Sequence, residues 1–408
     1  MEKMHPADKA ANEYIELQRR HYRKSKPLEA VFVALFLVFI FGMLALHVAL
    51  PDKDYSKREN KTLASFPSFS LSALLNKEDD KGAEESFIGG YLEDQFPLRD
   101  QFMAIDALRQ SILFFGKQGG VFLLSDGTLL PEEPILKEGE PSSYALLMNT
   151  IKAYEQSEAH SGKYETVIAL AGKKSAFLEG KLPFDYPVSL MKDNSSRTES
   201  ILKASGKTFL SLKEAMLPYV EKGLYYKTDH HWTSLGAYYA TAAILKEYGK
   251  TPAPLSDYTV QTATDDFRGT AYNSAGLYFL EGEELEYFRY EGDEDYTVTL
   301  CNALGKEISR RKGFYNLEAL KEEHPGTAYD SFVAGVDTPV VRITKAGEER
   351  PTLLVIKDSF AHSALPFLAR EFDLITVDVR HKNFTLPTLL EKGEIDGVLV
   401  LMNEETLW

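Results

Sequence analysis

Residues 352–379 read TLLVIKDSFAHSALPFLAREFDLITVDV, two short apolar runs that each end in polar or charged residues, with a helix-length stretch between them. Runs of this length, rich in Val, Ile and Leu, are the mark of strands buried on both faces. Thr352–Ile356 and Leu374–Val379 are therefore read as parallel strands, joined by a helix over Ser363–Glu371. The pattern continues with a helix over Thr385–Lys392 and a strand over Gly397–Met402. Upstream, Thr166–Ala171 (TVIALA) is an apolar strand ending in Gly172, and Lys207–Leu210 is a weaker one. A helix over Ser234–Tyr248 has Thr233 or Ser234 as N-cap and Gly249 as C-cap. Alternating strands and helices predict an α/β fold, a three-layer α/β/α arrangement with a central parallel sheet. Residues 255–350 break the rhythm and read as an insertion bordering a substrate cleft.

The N-terminal part has a different character. From Ala30 to Leu50 the chain is almost wholly apolar and uncharged, ending at Pro51. Roughly 20 such residues cross a hydrocarbon core about 30 Å thick. Arg19, Arg20, Arg23, Lys24 and Lys26 precede the run and Asp52 and Asp54 follow it. The positive-inside rule then puts residues 1–27 in the cytoplasm, an anchor at 28–50 and the rest outside, at a bacterial cell membrane. A cleaved signal peptide is the rival reading, with a shorter apolar region and a small-residue cleavage site. Residues 51–120 are expected as a stalk and helical lead-in, and 121–408 as the catalytic domain. In the lead-in, Leu98, Phe102, Ile105, Leu108 and Ile112 recur at helical spacing and are expected to pack into a core. Residues 120–130 (GVFLLSDGTLL) read as a hairpin turning at Asp126-Gly127.

Charge and cysteine content narrow the partners. The chain has a net charge of -15, and seven basic and four acidic groups in residues 1–27 leave about -18 on the remainder. Such a field repels polyanions, so no nucleic acid is expected, and a neutral or weakly charged glycan is easier to accept. The one cysteine, Cys301, can form no internal disulfide, which is usual for an outward-facing protein of bacteria that lack an oxidising envelope.

Three short words carry the chemistry. In open α/β sheets ligands sit beyond the carboxyl ends of the strands, where Ser359, Arg380 and Asn403 all fall. Ser359 lies between strand and helix, where a hydroxyl is exposed; its plainer reading is a helix N-cap. A serine nucleophile needs a base and a group that fixes the base's tautomer. Asp229 and His231 can supply both from one turn. His230 is the competing base, with its ring expected to face elsewhere if the segment is extended, and Trp232 is a wall. Asp229, His230 and His231 could otherwise bind a metal or form a structural polar cluster. Tyr225, Tyr226, Tyr238 and Tyr239 flank this word and are read as core more readily than as sugar-stacking rings. Lys173-Lys174-Ser175 and His362 also approach the same edge.

Lys227-Thr228-Asp229-His230-His231-Trp232-Thr233 resembles the signature of the bacterial DHHW family. Glu59–Leu63, Asp94–Asp100 (DQFPLRD), Phe267–Thr270 (FRGT), Tyr329–Gly335 (YDSFVAG), Lys357–Phe360 and Asp378–Arg380 resemble the same family in order. The family is similar to the SGNH-like proteins of alginate O-acetylation. The resemblance implies Ser359 as nucleophile, His231 as base and Asp229 as its orienter. Asn403, with Arg380, Lys357, His230 and Trp232, is expected at the oxyanion or substrate-binding surface. Lys357 stands where SGNH proteins carry a glycine before Asp-Ser, Arg380 where a second glycine is expected, and the Asp-x-His word comes upstream of the serine, as in a permuted chain. The implied activity is O-acetyl transfer to a glycan, with a membrane-bound O-acyltransferase as donor partner. An esterase, or a non-catalytic scaffold for that partner, is the alternative. No cofactor and no metal are called for.

Overall fold

The computed structural model describes residues 6–56, 61–66, 90–113, 117–139, 141–318, 328–329, 331–332, 338–379 and 390–408. Its main sheet has eight strands, numbered in chain order: β1 (Val167–Ala171), β2 (Thr208–Ser211), β3 (Tyr296–Cys301), β4 (Glu307–Lys312), β5 (Val340–Lys345), β6 (Thr352–Lys357), β7 (Asp373–Asp378) and β8 (Gly397–Asn403). They lie in the order β4-β3-β5-β7-β6-β8-β1-β2. The five from β7 to β2 run parallel, and the three at the other edge are antiparallel. The sheet is thus mostly parallel. Of the stretch expected as an insertion, β3, β4 and β5 extend this sheet, while Thr259–Phe267 and Glu283–Arg289 pair as a separate hairpin.

Period-two alternation divides each central strand between two cores. Leu353 and Val355 of β6, with Leu399 and Leu401 of β8, face one core, which is covered by Ala237, Ala240 and Ile244. Those three lie on a helix over Ser234–Glu247, capped by the Thr233 hydroxyl, which accepts from the Gly236 N–H. Leu354, Ile356, Val398 and Val400 face the other core against Leu147, Ile151 and Tyr154 of the helix over Tyr144–Glu155. Apolar burial on both faces explains why these strands read as continuous hydrophobic runs. Register then aligns the functional ends: Lys357 sits beside Asp378, and Asn403 beside Ala171.

Two expectations give way here. The helix expected over Ser363–Glu371 is one turn, Leu365–Leu368, preceded by a 3-10 turn over Ser359–Ala361, because Pro366 suits only the first turn of a helix. The stripe on the helix over Arg99–Leu113 is not core: Leu98, Phe102, Ile105 and Leu108 are all exposed, and it is Ala107 that is fully buried. The helix expected over Thr385–Lys392 lies largely outside the described residues. The hairpin at 120–130 forms as read, Val121–Leu123 pairing with Leu129–Pro131 and Gly127 turning at φ 83°.

The chain divides into two units, Met1–Ser56 with Lys61–Phe102, and Lys57–Asn60 with Met103–Trp408. In the first, a helix spans Pro6–Ala49, and its part Lys26–Ala49 is long and apolar enough to cross a membrane, with mean hydropathy 2.8 and no buried share. That part is largely exposed, with Phe39 in edge contact with Phe102 and His47 with Tyr91, and it fits an anchor or a signal sequence. Beyond it, Gln95 bonds the Lys53 backbone and the Ala64 carbonyl, Asp94 accepts from Ala64 N–H, and Tyr91 donates to Asp52.

Ile356, fully buried at the centre of the sheet, gives a direct check. Ile356→Ala should cost about 2–5 kcal/mol of unfolding free energy in a denaturant titration, and a loss below about 1 kcal/mol would contradict its central place.

Candidate active site

The word at 227–232 is a tight loop rather than an extended segment. Tyr225 and Trp232 form an antiparallel bridge, and Tyr226 N–H donates to the His231 carbonyl at 3.2 Å. The Glu283 carboxylate accepts from the N–H groups of Lys227 and Thr228 and from the Thr228 hydroxyl. From the other side the Lys174 ammonium donates to the carbonyls of Leu129, Lys227 and Asp229 at 2.6, 3.0 and 3.0 Å. Burial pushes that ammonium down to about 8, against the pull of Asp229, Glu283 and Asp126.

Bending puts both histidine rings on one side. His230 does not turn away as expected: its ring lies 3.9 Å from that of His231, and its Nδ1 bonds the Thr270 hydroxyl at 2.6 Å. His231 is the one that reaches the serine. Its Nδ1 is 2.5 Å from Asp229 Oδ1 and its Nε2 is 2.7 Å from Ser359 Oγ. An ionised carboxylate only accepts, so Nδ1 carries the proton and Nε2 is left to accept from the serine hydroxyl. Burial alone would raise the Asp229 pKa. The charges of His231 and His230 and the hydrogen bonds from His231 outweigh it and hold the carboxyl well below the usual range.

Two residues that the sequence reading left without a role complete this arrangement. Thr270 donates to Asp229 Oδ2 through its N–H at 2.7 Å and its hydroxyl at 3.1 Å. The Tyr329 ring stacks on His231 with centroids 4.2 Å apart, and its hydroxyl meets Ser363 Oγ at 3.2 Å. Each lies in a family-like word, FRGT or YDSFVAG, and that was the available signal. Gly269 explains one of those words, since a Cβ there would fall 2.2 Å from the Asp229 side chain.

Ser359 opens the 3-10 turn directly after β6. Asp358, not Ser359, is the cap: its Oδ1 accepts from Phe360 N–H at 2.9 Å, while Oδ2 takes Asn403 N–H at 2.8 Å and the Thr406 hydroxyl at 2.6 Å. The Ser359 N–H, first in its turn, has no acceptor within the turn. Asn403 Oδ1 accepts from Glu405 N–H at 2.9 Å, so its amide NH2 must point the other way, into a cavity that Asn403 lines.

Trp232 and Lys357, expected at the oxyanion or substrate surface, are both buried beneath it. The Trp232 indole N–H reaches the Phe360 carbonyl at 2.9 Å and Ser363 Oγ at 3.0 Å. The Lys357 ammonium lies 2.6 Å from Asp378 Oδ2 and 2.8 Å from His362 Nε2, because an odd position at the strand end points under the turn and its charge must be paired there. Arg380 lies outside the described residues. Tyr225 and Tyr238 spend their hydroxyls on the carbonyls of Gly172 and Ala253, and Tyr239 stacks on Tyr219.

Asp229, His230 and His231 offer ligand atoms within 4.8 Å of one another, the spread of a metal site. In the described arrangement those atoms are bonded among themselves, to Thr270 and to Ser359.

The structure thus combines a mostly parallel sheet with Ser359, His231 and Asp229 in hydrogen-bonded series at its carboxyl edge. Residues 198–378 match the sequence model of the DHHW protein family. A DHHW family protein from Eubacterium siraeum shares the fold at 20% identity and TM-score 0.57, over 72% of this chain and 93% of that one. Bacillus cereus PatB1 does so at 22% identity and TM-score 0.54, over 70% and 96%. A second structure of PatB1, carrying a sulfonyl adduct, gives 22% and 0.53 over 70% and 95%. No curated protein matches the chain.

Two outcomes follow from this geometry. Gly269→Ala should displace Asp229 and lower turnover on an acyl ester by about 100-fold, the effect of a misplacement near 1 Å; an unchanged rate would show the aspartate to be dispensable. An unfolded aspartate titrates near about 3.9. Because the folded value lies below that, the stability supplied by ionised Asp229 is fully present above about pH 4 and is lost as the pH falls through the folded value. The stability gap between the natural protein and Asp229→Asn, followed by thermal unfolding, should therefore narrow below about pH 4, and a constant gap would contradict it.

Proposed function

We propose that the protein is a membrane-anchored O-acetyltransferase acting outside the cytoplasm on a cell-surface or exported glycan through an acyl-enzyme on Ser359. The observation that carries the reading is the Asp229–His231–Ser359 line, with separations of 2.5 and 2.7 Å. His231 Nε2 removes the Ser359 proton as Oγ attacks the acetyl carbonyl. The Ser359 N–H and the Asn403 amide hold the oxyanion, with Arg380 as a further donor. Collapse breaks the donor's C–O bond, and His231 returns the proton to the leaving oxygen. A sugar hydroxyl then attacks, giving its proton to His231, and Ser359 is freed. Acetyl as the group moved, and a glycan as its acceptor, rest on the resemblance to the proteins of alginate O-acetylation.

The apolar helix supports the anchor, and the basic residues before it support a cytoplasmic N-terminus. That topology separates Ser359 from cytoplasmic acetyl-CoA. A membrane-bound O-acyltransferase that carries acetyl across the bilayer is the partner this chemistry asks for.

With p-nitrophenyl acetate as donor, Ser359→Ala should reduce turnover by on the order of 10³ or more, and turnover retained in that variant would sink the assignment. Chelators should leave the rate unchanged; loss on chelation and recovery with zinc would give the Asp229 cluster to a metal. Acetylated oligosaccharide should form when an acceptor is present, whereas acetate as the sole product under all acceptors would make the protein an esterase.

A further inference from the structure

A cavity of about 350 Å³ opens beside the line of triad residues, lined among others by His230, Asn403, Glu133, Lys173, Lys174 and Glu405. Its volume falls in the range of about 300–1,000 Å³ usual for small-molecule sites and exceeds what an acetyl group fills. We propose that this cavity binds the acceptor sugar, and that it takes a neutral or amine-bearing ring while rejecting uronates and phosphorylated sugars. The proposal rests on the acyl-transfer reading for what the bound sugar is for, though not for whether it binds.

The donors and acceptors in the wall decide the charge preference. An anionic sugar needs cationic N–H groups with hydrogens to spare. Each ammonium has three. Those of Lys174 go to the carbonyls of Leu129, Lys227 and Asp229. Lys173 is enclosed by three carboxylates, Glu133 in a hydrogen bond, Glu404 at 2.8 Å and Glu405 at 3.8 Å. Among the described residues the wall therefore has two ammoniums, both engaged, and two carboxylates, Glu133 and Glu405, while Glu404 pairs with Lys173 without lining the cavity. Glu133 and Glu404 are buried, and Glu405 is half exposed at the cavity.

A second observation points to a ligand independently of the carboxylates. Asn403 is 8% exposed and lines the cavity, and its carbonyl oxygen is committed to the Glu405 N–H. Its NH2 takes no hydrogen bond among the described residues and is left free to donate to an acceptor in the cavity. That amide lies at the corner nearest the nucleophile turn, since the Asn403 backbone N–H is bonded to Asp358. Carboxylate oxygens facing the cavity suit sugar hydroxyls and ammonium groups, which donate. A carboxylate or phosphate on the ring would meet the half-exposed Glu405 carboxylate with only neutral donors such as the Asn403 amide, and no free ammonium, to offset the repulsion.

Calorimetric titration of the full-length protein in detergent micelles tests this without requiring turnover. The probes are chitotriose, chitosan trimer and trigalacturonate. The first two should bind at least about 10-fold more tightly than the third, and Glu405→Lys should narrow or invert that ratio by about 10-fold, with Glu405→Gln intermediate. Equal or tighter binding of the uronate, no binding of either uncharged or amine-bearing trimer, or an unchanged ratio in Glu405→Lys would each overturn the proposal. Acylation of Ser359 is read separately, so its failure would strike the acyl-transfer reading and leave these binding results standing.

Discussion

His231 can serve Ser359 only because two segments 128 residues apart in sequence are stitched together beneath the reacting atoms. The Trp232 indole does this, buried completely and donating to the Phe360 carbonyl and Ser363 hydroxyl of the turn that Ser359 opens. One residue before Trp232 stands the proposed base, and one residue before Phe360 the proposed nucleophile. A fixed indole therefore sets the distance between them. The stitch also accounts for an invariable cost, since a buried indole N–H left without an acceptor would oppose folding.

Around that stitch the turn and the loop are each held by a carboxylate that organises backbone. Asp358 joins the nucleophile turn to the end of the last strand, through Asn403 N–H and the Thr406 hydroxyl. Glu283 and Lys174 close on the loop that bears Asp229. Lys357, paired with Asp378 and His362 below the turn, fills the space that a glycine would leave. The side chains that touch substrate in the proposed reaction are few, and most of the polar network fixes where they point.

The sheet was legible because its central strands are buried on both faces, which leaves an unbroken apolar run at Thr352–Lys357, Asp373–Asp378 and Gly397–Asn403. That Ser359, His231 and Asp229 meet was legible from a strand end and an Asp-x-His word only together with the resemblance to the DHHW signature. What periodicity could not show was direction. The Leu98–Leu108 stripe has helical spacing whether it faces a core or the outside, and here it faces out. His230 was expected to turn away on the rule for extended chain, which fails where Lys227–His231 bends. Trp232 and Lys357 were placed with the site because of their neighbours in sequence, while burial put them behind it. Thr270 and Tyr329 act from distant segments, and the family-like words that contain them give no sign of which side chain stacks on or donates to the Asp-x-His word.

The central claim is that Ser359 becomes acylated with His231 as its base. Acid-quenching the full-length protein after mixing with an activated acetyl ester, then mapping peptides by mass spectrometry, measures this directly. The account predicts one acetyl group on the peptide containing Ser359, formed in the natural protein and absent in His231→Ala at short times. Acetyl found on another residue, or on Ser359 at the same rate without His231, would contradict it.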